Sequence, residues 1–264
     1  MKDQILKQLK KLNSEEKKDL FLKFITSENY NSIEINNEIV QANPVEIVEL
    51  LIQGGADVNT KNKNGDSFLH MVNNSDIAEL LIQHGLDVNA RNKLDETPLF
   101  YVSFKEIGEV LIQHGADVNA RNYFGATPLF EVKSKEMVEL LIQHGADINV
   151  KDALNNTPLF YAKYKEMAAL MIQHGADVNA RDTNGNTVLH QVNNREIAEL
   201  LIQAGTDVNA RNNEGQTPVE FYRSYGHTYL ANFIEQKAIE FEQEKLNQVL
   251  PKPQKSSNHP QYRL

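Results

Sequence analysis

Apolar and polar positions follow one another along this chain in a pattern that returns every thirty residues. The unit is clearest from Asn122 to Lys151. Met137, Leu140 and Leu141 fall at i, i+3 and i+4, the spacing of a single buried stripe on a helix, while Glu136, Glu139 and Gln143 take the wet side. That predicts a helix from near Lys135. Ahead of it, Thr127 stands as an N-cap with Pro128 at the first helical position, where a missing N–H costs nothing, so a shorter first helix is predicted there. Gly145 then closes the second helix as a left-handed cap, a conformation that strains any residue with a Cβ. The unit is turn, helix, helix, return. Its closing phrase, Gly-Ala-Asp-Val-Asn or a near copy, begins at Gly55, Gly85, Gly115, Gly145, Gly175 and Gly205, and such a fixed period implies an array.

A second phrase recurs in the same register: Ser67-Phe68-Leu69-His70, Thr97-Pro98-Leu99-Phe100, Thr127 to Phe130, Thr157 to Phe160, Thr187-Val188-Leu189-His190 and Thr217-Pro218-Val219-Glu220. These vary the Thr-Pro-Leu-His signature of the ankyrin repeat, which the chain resembles over roughly residues 34 to 236. The resemblance implies an all-α, ankyrin-type α-solenoid of stacked turn-helix-helix repeats with helical caps, working as a non-enzymatic binding module. Two departures stand out. The family's period is about 33 residues, and here the leucine pair arrives three residues early, so the first helix or the connection after it is shortened. Only the last unit, Thr217 to Ile234 with Gly226-His227, keeps the full spacing. In addition, Phe100, Phe130 and Phe160 replace the family's histidine and so remove a side chain expected to hydrogen-bond neighbouring turns.

Taken in order, residues 1–33 are expected to form an N-terminal helical cap. One helix runs near Gln4 to Leu12 and another near Glu15 to Ile25, the second opened by an Asn13/Glu16 capping box. Ile5, Leu6, Leu9, Leu12, Leu20, Phe21, Phe24 and Ile25 supply the apolar cover that the end of an array needs. Six repeats follow at 34–63, 64–93, 94–123, 124–153, 154–183 and 184–213, the first degenerate, with Ile39 and Val40 in place of the signature. Residues 214–250 are expected to form a C-terminal capping repeat with an extended helix, Glu235 to Leu250, whose Ile239, Leu246 and Val249 cover the other end. The polar, proline-bearing stretch 251–264 is expected to be disordered.

Composition narrows the function. The absence of cysteine removes disulfides and thiolate metal sites and fits the cytoplasm or another reducing compartment, with export lacking a signal peptide left open. The first residues carry no apolar signal region and charge interrupts every apolar stretch, so a soluble chain without a membrane span is expected. A net charge of −9 disfavours broad attraction to nucleic acid or anionic lipid.

Residues copied in every repeat belong to the frame, because a catalytic group is normally unique and converges with others in a pocket. His84, His114, His144 and His174 sit on successive helices that stack roughly 8 to 10 Å apart, too far to share a metal ion, and suit carbonyls at the helix ends instead. Asp57, Asp87, Asp117, Asp147, Asp177 and Asp207 are expected to fix their turns through local backbone N–H groups. No phosphate loop, nucleophile elbow or His-Glu-x-x-His occurs, so no catalytic residue, cofactor or metal ligand is assigned. Lys61, Arg91, Arg121, Lys151, Arg181 and Arg211 form a basic ladder, an alternative surface for nucleic acid or an acidic partner, although each rung has acidic neighbours.

What differs between repeats can specify a partner. One turn position runs Asn64, Leu94, Phe124, Leu154, Asn184, Glu214, apolar only in the middle. Tyr101, Phe104, Tyr161 and Tyr164 likewise stand where outer repeats carry Met71, Asn74, Gln191 and Asn194, and Tyr123 joins them at a turn. An apolar, aromatic patch on the turn and first-helix face is therefore the expected protein-binding surface, with Arg91 and Arg121 at its rim. Phe104 and Tyr164 carry a second reading, as rings folded inward to fill the shortened connection. A monomer is expected, with self-association through the patch as the alternative.

Overall fold

The structure is a computed structural model, and residues 2–25, 32–35, 38–41 and 43–249 are described. They fall into two compact units, Met1–Thr183 and Asn184–Leu264. The first unit opens with α1 (Lys2–Leu9) and α2 (Ser14–Ile25). The predicted capping box is present: Asn13 N–H donates to Glu16 Oε2 at 2.7 Å and Glu16 N–H to Asn13 Oδ1 at 3.0 Å. Ile5, Leu9, Phe21, Phe24 and Ile25 are buried, and the Phe21 ring lies 4.2 Å from that of Phe68 in the second repeat. Close packing leaves no room at Gly54, where a Cβ would come within 2.8 Å of the Leu9 Cβ.

The degenerate first repeat differs from the others. In place of a signature helix, Ser32–Ile35 (β1) and Glu38–Gln41 (β2) pair as an antiparallel hairpin with Ile33 opposite Val40 and Glu34 opposite Ile39. Ile33, Ile35, Ile39 and Val40 are β-branched and favour extended backbone. The second helix is regular: α3 (Pro44–Gln53) starts at Asn43, whose side chain accepts from Val45 N–H at 2.9 Å.

The second repeat contains α4 (Phe68–Met71) and α5 (Ser75–Gln83). In the three middle repeats the first helix shrinks to the 3-10 turns Pro98–Phe100, Pro128–Phe130 and Pro158–Tyr161, followed by α6 (Lys105–Gln113), α7 (Lys135–Gln143) and α8 (Lys165–Gln173). The second unit holds α9 (Val188–Gln191), α10 (Arg195–Gln203), α11 (Pro218–Ser224) and α12 (Thr228–Val249). The predicted stripe is the core: Met137, Leu140 and Leu141 are buried, as are Ile77, Leu81, Ile107, Leu111 and Met167 at matching positions. Gly145 has φ 85°, and the other five phrase glycines share that left-handed backbone.

Capping chemistry separates the two kinds of first helix. His70 Nδ1 accepts from Ser67 N–H at 3.1 Å and lies 2.8 Å from the Ser67 hydroxyl, which leaves Nε2 protonated to reach the Glu96 carbonyl of the next repeat at 3.1 Å. Burial, the largest influence, holds the His70 pKa below its ordinary value. His190 makes the same set with Thr187 and the Gln216 carbonyl, and Glu220 closes a box with Thr217. All three of these helices are α-helical. Phe100, Phe130 and Phe160 offer no acceptor, and there the Thr97, Thr127 and Thr157 hydroxyls are buried without a partner among the described residues. Proline is not the cause, since α11 also begins with one. A Thr N-cap is therefore in place as predicted, but its side chain makes no capping bond in the middle repeats.

At the C-terminal end the cover differs from expectation. Ile239 and Leu246 are exposed, and the side chains of α12 that bury are Ala231 and Ile234, nearer its start, where the helix lies against α10 and α11. The Val249 side chain and the stretch 251–264 lie outside the described residues.

Candidate functional site

The surface is built on turns that the sequence fixes locally. Each phrase aspartate does what its position predicts, as where Asp117 Oδ1 accepts from Asn119 N–H at 2.9 Å. The phrase asparagine does more than the sequence signalled. Asn89 donates to the Gly115 carbonyl and accepts from Asp117 N–H, both at 2.9 Å, so one side chain clasps the following repeat by two bonds. Asn119 and Asn149 repeat the clasp on Gly145 and Asp147, then Gly175 and Asp177. At the tips, Asn92 Oδ1 accepts from Leu94 N–H and Glu96 N–H, an arrangement that Asn122 and Asp152 copy.

Main-chain bonds then join tip to tip. Tyr123 N–H donates to the Leu94 carbonyl, Ala153 N–H to that of Phe124 and Thr183 N–H to that of Leu154, at 2.8 to 2.9 Å. Leu94, Phe124 and Leu154 thus form one row, 45, 53 and 58 % exposed. Tyr123, 75 % exposed, stands edge-on to Phe124 with ring centroids 5.4 Å apart.

Tyr101 and Tyr161 lie back against the bases of their turns. The Tyr101 hydroxyl donates to Glu96 Oε2 at 2.5 Å and accepts from Asn92, while that of Tyr161 donates to Asp152 Oδ2 at 2.8 Å. Partial burial, then the neighbouring carboxylate, raises both phenol pKa values. Each ring also meets the preceding repeat, Tyr101 against His70 and Tyr161 against Phe130.

Phe104 and Tyr164 are 57 and 58 % exposed and do not fill the shortened connection. They are the N-cap residues of α6 and α8, and a nine-residue helix of about 13 Å separates each from the turn that follows. The sequence pattern groups them with the tips, but helix length places them at the other edge. Ser134 and Asn74 occupy the same position in other repeats and cap their helices through the side chain, which neither aromatic can do.

Three rungs of the basic ladder are ties between repeats. Lys61 Nζ donates to the Arg91 carbonyl at 2.9 Å, Arg91 to the Arg121 carbonyl at 2.7 Å and Arg121 to the Lys151 carbonyl at 2.6 Å. Periodicity could suggest a stripe but not an acceptor thirty residues away. Of the repeated histidines, His114 pairs with Glu79 at 2.9 Å across adjacent repeats, in place of the expected carbonyl contact. No group of metal-binding side chains is found among the described residues. Nor does any described helix have the length and apolarity to cross a membrane.

Stacked turn-helix-helix units carrying variable tips on an invariant frame define a helical repeat scaffold. A family model described as ankyrin repeats (3 copies) matches residues 37–122, 106–182 and 129–212, and the chain belongs to the ankyrin repeat family. Among solved structures it is similar to the ankyrin repeat domain of Bcl-3, described as a unique member of the IkappaB protein family. The two are 26 % identical with a TM-score of 0.56, over 72 % of this chain and 92 % of that one. A comparison with curated proteins gives no match. Ankyrin repeats are generally protein–protein interaction modules, and proteins of this fold are typically non-enzymatic scaffolds.

Proposed function

We propose that the middle repeats capture a protein partner on the row formed by Leu94, Phe124 and Leu154. Tyr123 stands beside the row, Tyr101 and Tyr161 lie behind it, and Arg91 and Arg121 mark its rim. The observation that carries this reading is that three apolar side chains, each close to half exposed or more, stand at bonded neighbouring tips where outer repeats carry Asn64, Asn184 and Glu214. Exposed leucine and phenylalanine contribute little to a monomer, and rigid apolar anchors in a row suit a protein contact. Phe104 and Tyr164 engage a partner long enough to reach past the second helices. Nucleic acid is the weaker reading, because Lys61, Arg91 and Arg121 already donate to carbonyls of the array.

Replacing Leu94, Phe124 and Leu154 together with serine tests the reading. Helical circular dichroism and thermal melting should stay nearly as in the wild type, while capture of a partner identified with the wild type is lost. Equal capture by the triple variant sinks the proposed row. Sedimentation of the wild type at two concentrations tells whether the occupant is a second copy.

A further inference from the structure

The second unit contains a feature that the turn row does not explain. Its first repeat has the shortened α9, four residues long, whereas α11 in the final repeat has seven. The longer helix and its loop, Tyr225-Gly226-His227, therefore overhang the preceding connection and leave an open step about 830 Å³ in volume. Phe221 and Tyr222 form its floor with Val192, and Tyr225 and Tyr229 form its walls. Tyr222 is buried and donates its hydroxyl to the Val192 carbonyl, which fixes the floor. The Phe221 and Tyr225 rings lie 4.9 Å apart, yet Tyr225 and Tyr229 remain 64 and 71 % exposed.

Charge selects among occupants for this apolar step. No aspartate or glutamate lines it. The Arg195 guanidinium stands just outside this lining, behind Tyr229: it donates to the Tyr229 hydroxyl, lies 5.0 Å from the Tyr229 and Phe233 ring centroids, and has no carboxylate partner among the described residues. An aromatic step whose Tyr229 side is backed by a cation without a carboxylate favours a ring that carries a negative charge next to it and disfavours a cation. We propose that this step binds a short peptide segment presenting an aromatic side chain beside a carboxylate, with the ring on Phe221 and Tyr225 and the carboxylate on Arg195. The side chains of Asn193 and His227, which also line the step, can pair with the main-chain groups of such a segment.

The chain contains no tryptophan, so a peptide that carries one reports its own burial by fluorescence. The probe is an acetylated, amidated Gly-Trp-Asp-Gly, titrated with the full chain beside a Gly-Trp-Asn-Gly control. The aspartate peptide should show a saturable blue shift, the asparagine peptide should bind roughly tenfold more weakly, and Arg195→Gln should remove the difference between them. Tyr225→Ala should abolish the shift while leaving the melting temperature unchanged, because the ring is exposed. The Leu94, Phe124 and Leu154 triple serine variant should bind the probe normally, so failure here and failure of the turn row are separable. No shift with wild-type protein, or a shift that survives both Arg195→Gln and Tyr225→Ala, overturns the proposal.

Discussion

The repeat at 64–93 and the repeat at 124–153 share a length, a second helix and a closing phrase, yet they resolve their first helices in opposite ways. In the former, Ser67 and His70 satisfy each other and the histidine reaches into the next turn. In the latter, Phe130 fills the same place, the helix contracts to one 3-10 turn, and the Thr127 hydroxyl is buried without a partner among the described residues. The same repeat puts Phe124 where the other has Asn64. An unpartnered buried hydroxyl and a displayed apolar tip thus fall in the same repeat, a pairing that agrees with the proposed binding row.

The largest effects should not distinguish the two repeats at all. Leu81→Ala and Leu141→Ala each remove a fully buried second-helix side chain, and each should cost about 2 to 5 kcal/mol in denaturant unfolding. A much smaller loss at Leu141 would show that the difference extends into the core. Next in size, and opposite in sign, are the N-caps. Thr187→Val breaks a satisfied pair and should destabilise by about 1 kcal/mol, whereas Thr127→Val removes an unpaired hydroxyl and should stabilise by about as much. Equal signs at the two sites would erase the distinction. Phe104→Asn restores a capping side chain at α6 and should gain about 0.5 to 1 kcal/mol in the same measurement.

The smallest effect is a dependence on pH. The folded pKa of His70 lies below its ordinary value of 6.5, so its contribution is complete above that pH and is lost as pH falls toward and through the folded value. The denaturant midpoint of the wild type should therefore drop more between pH 7.5 and pH 5.5 than that of His70→Phe. Identical slopes would mean that the buried ring is not what the acid titrates.

Much of the frame could be read from residue order alone. Repetition at thirty positions, the leucine pair and the phrase glycine marked the second helices, their buried faces and their left-handed ends, because each depends on residues a few positions apart. What stayed hidden depends on groups far apart in the chain. Arg91 pairs with a carbonyl thirty residues on, and no local pattern shows an acceptor that every residue possesses. Phe104 and Tyr101 are three positions apart and look like one patch, but the turn between them sends one to the helix start and the other to the turn base. Ile239 and Leu246 look like cover, yet a single long helix beginning at Thr228 buries Ala231 and Ile234 instead.

The asparagine clasp has an evolutionary consequence. Because Asn89, Asn119 and Asn149 hold the next module through atoms that every module offers, excising or duplicating thirty residues within that stretch would present each joint with the same counterpart as before. A change of length in whole modules would therefore need no new joint.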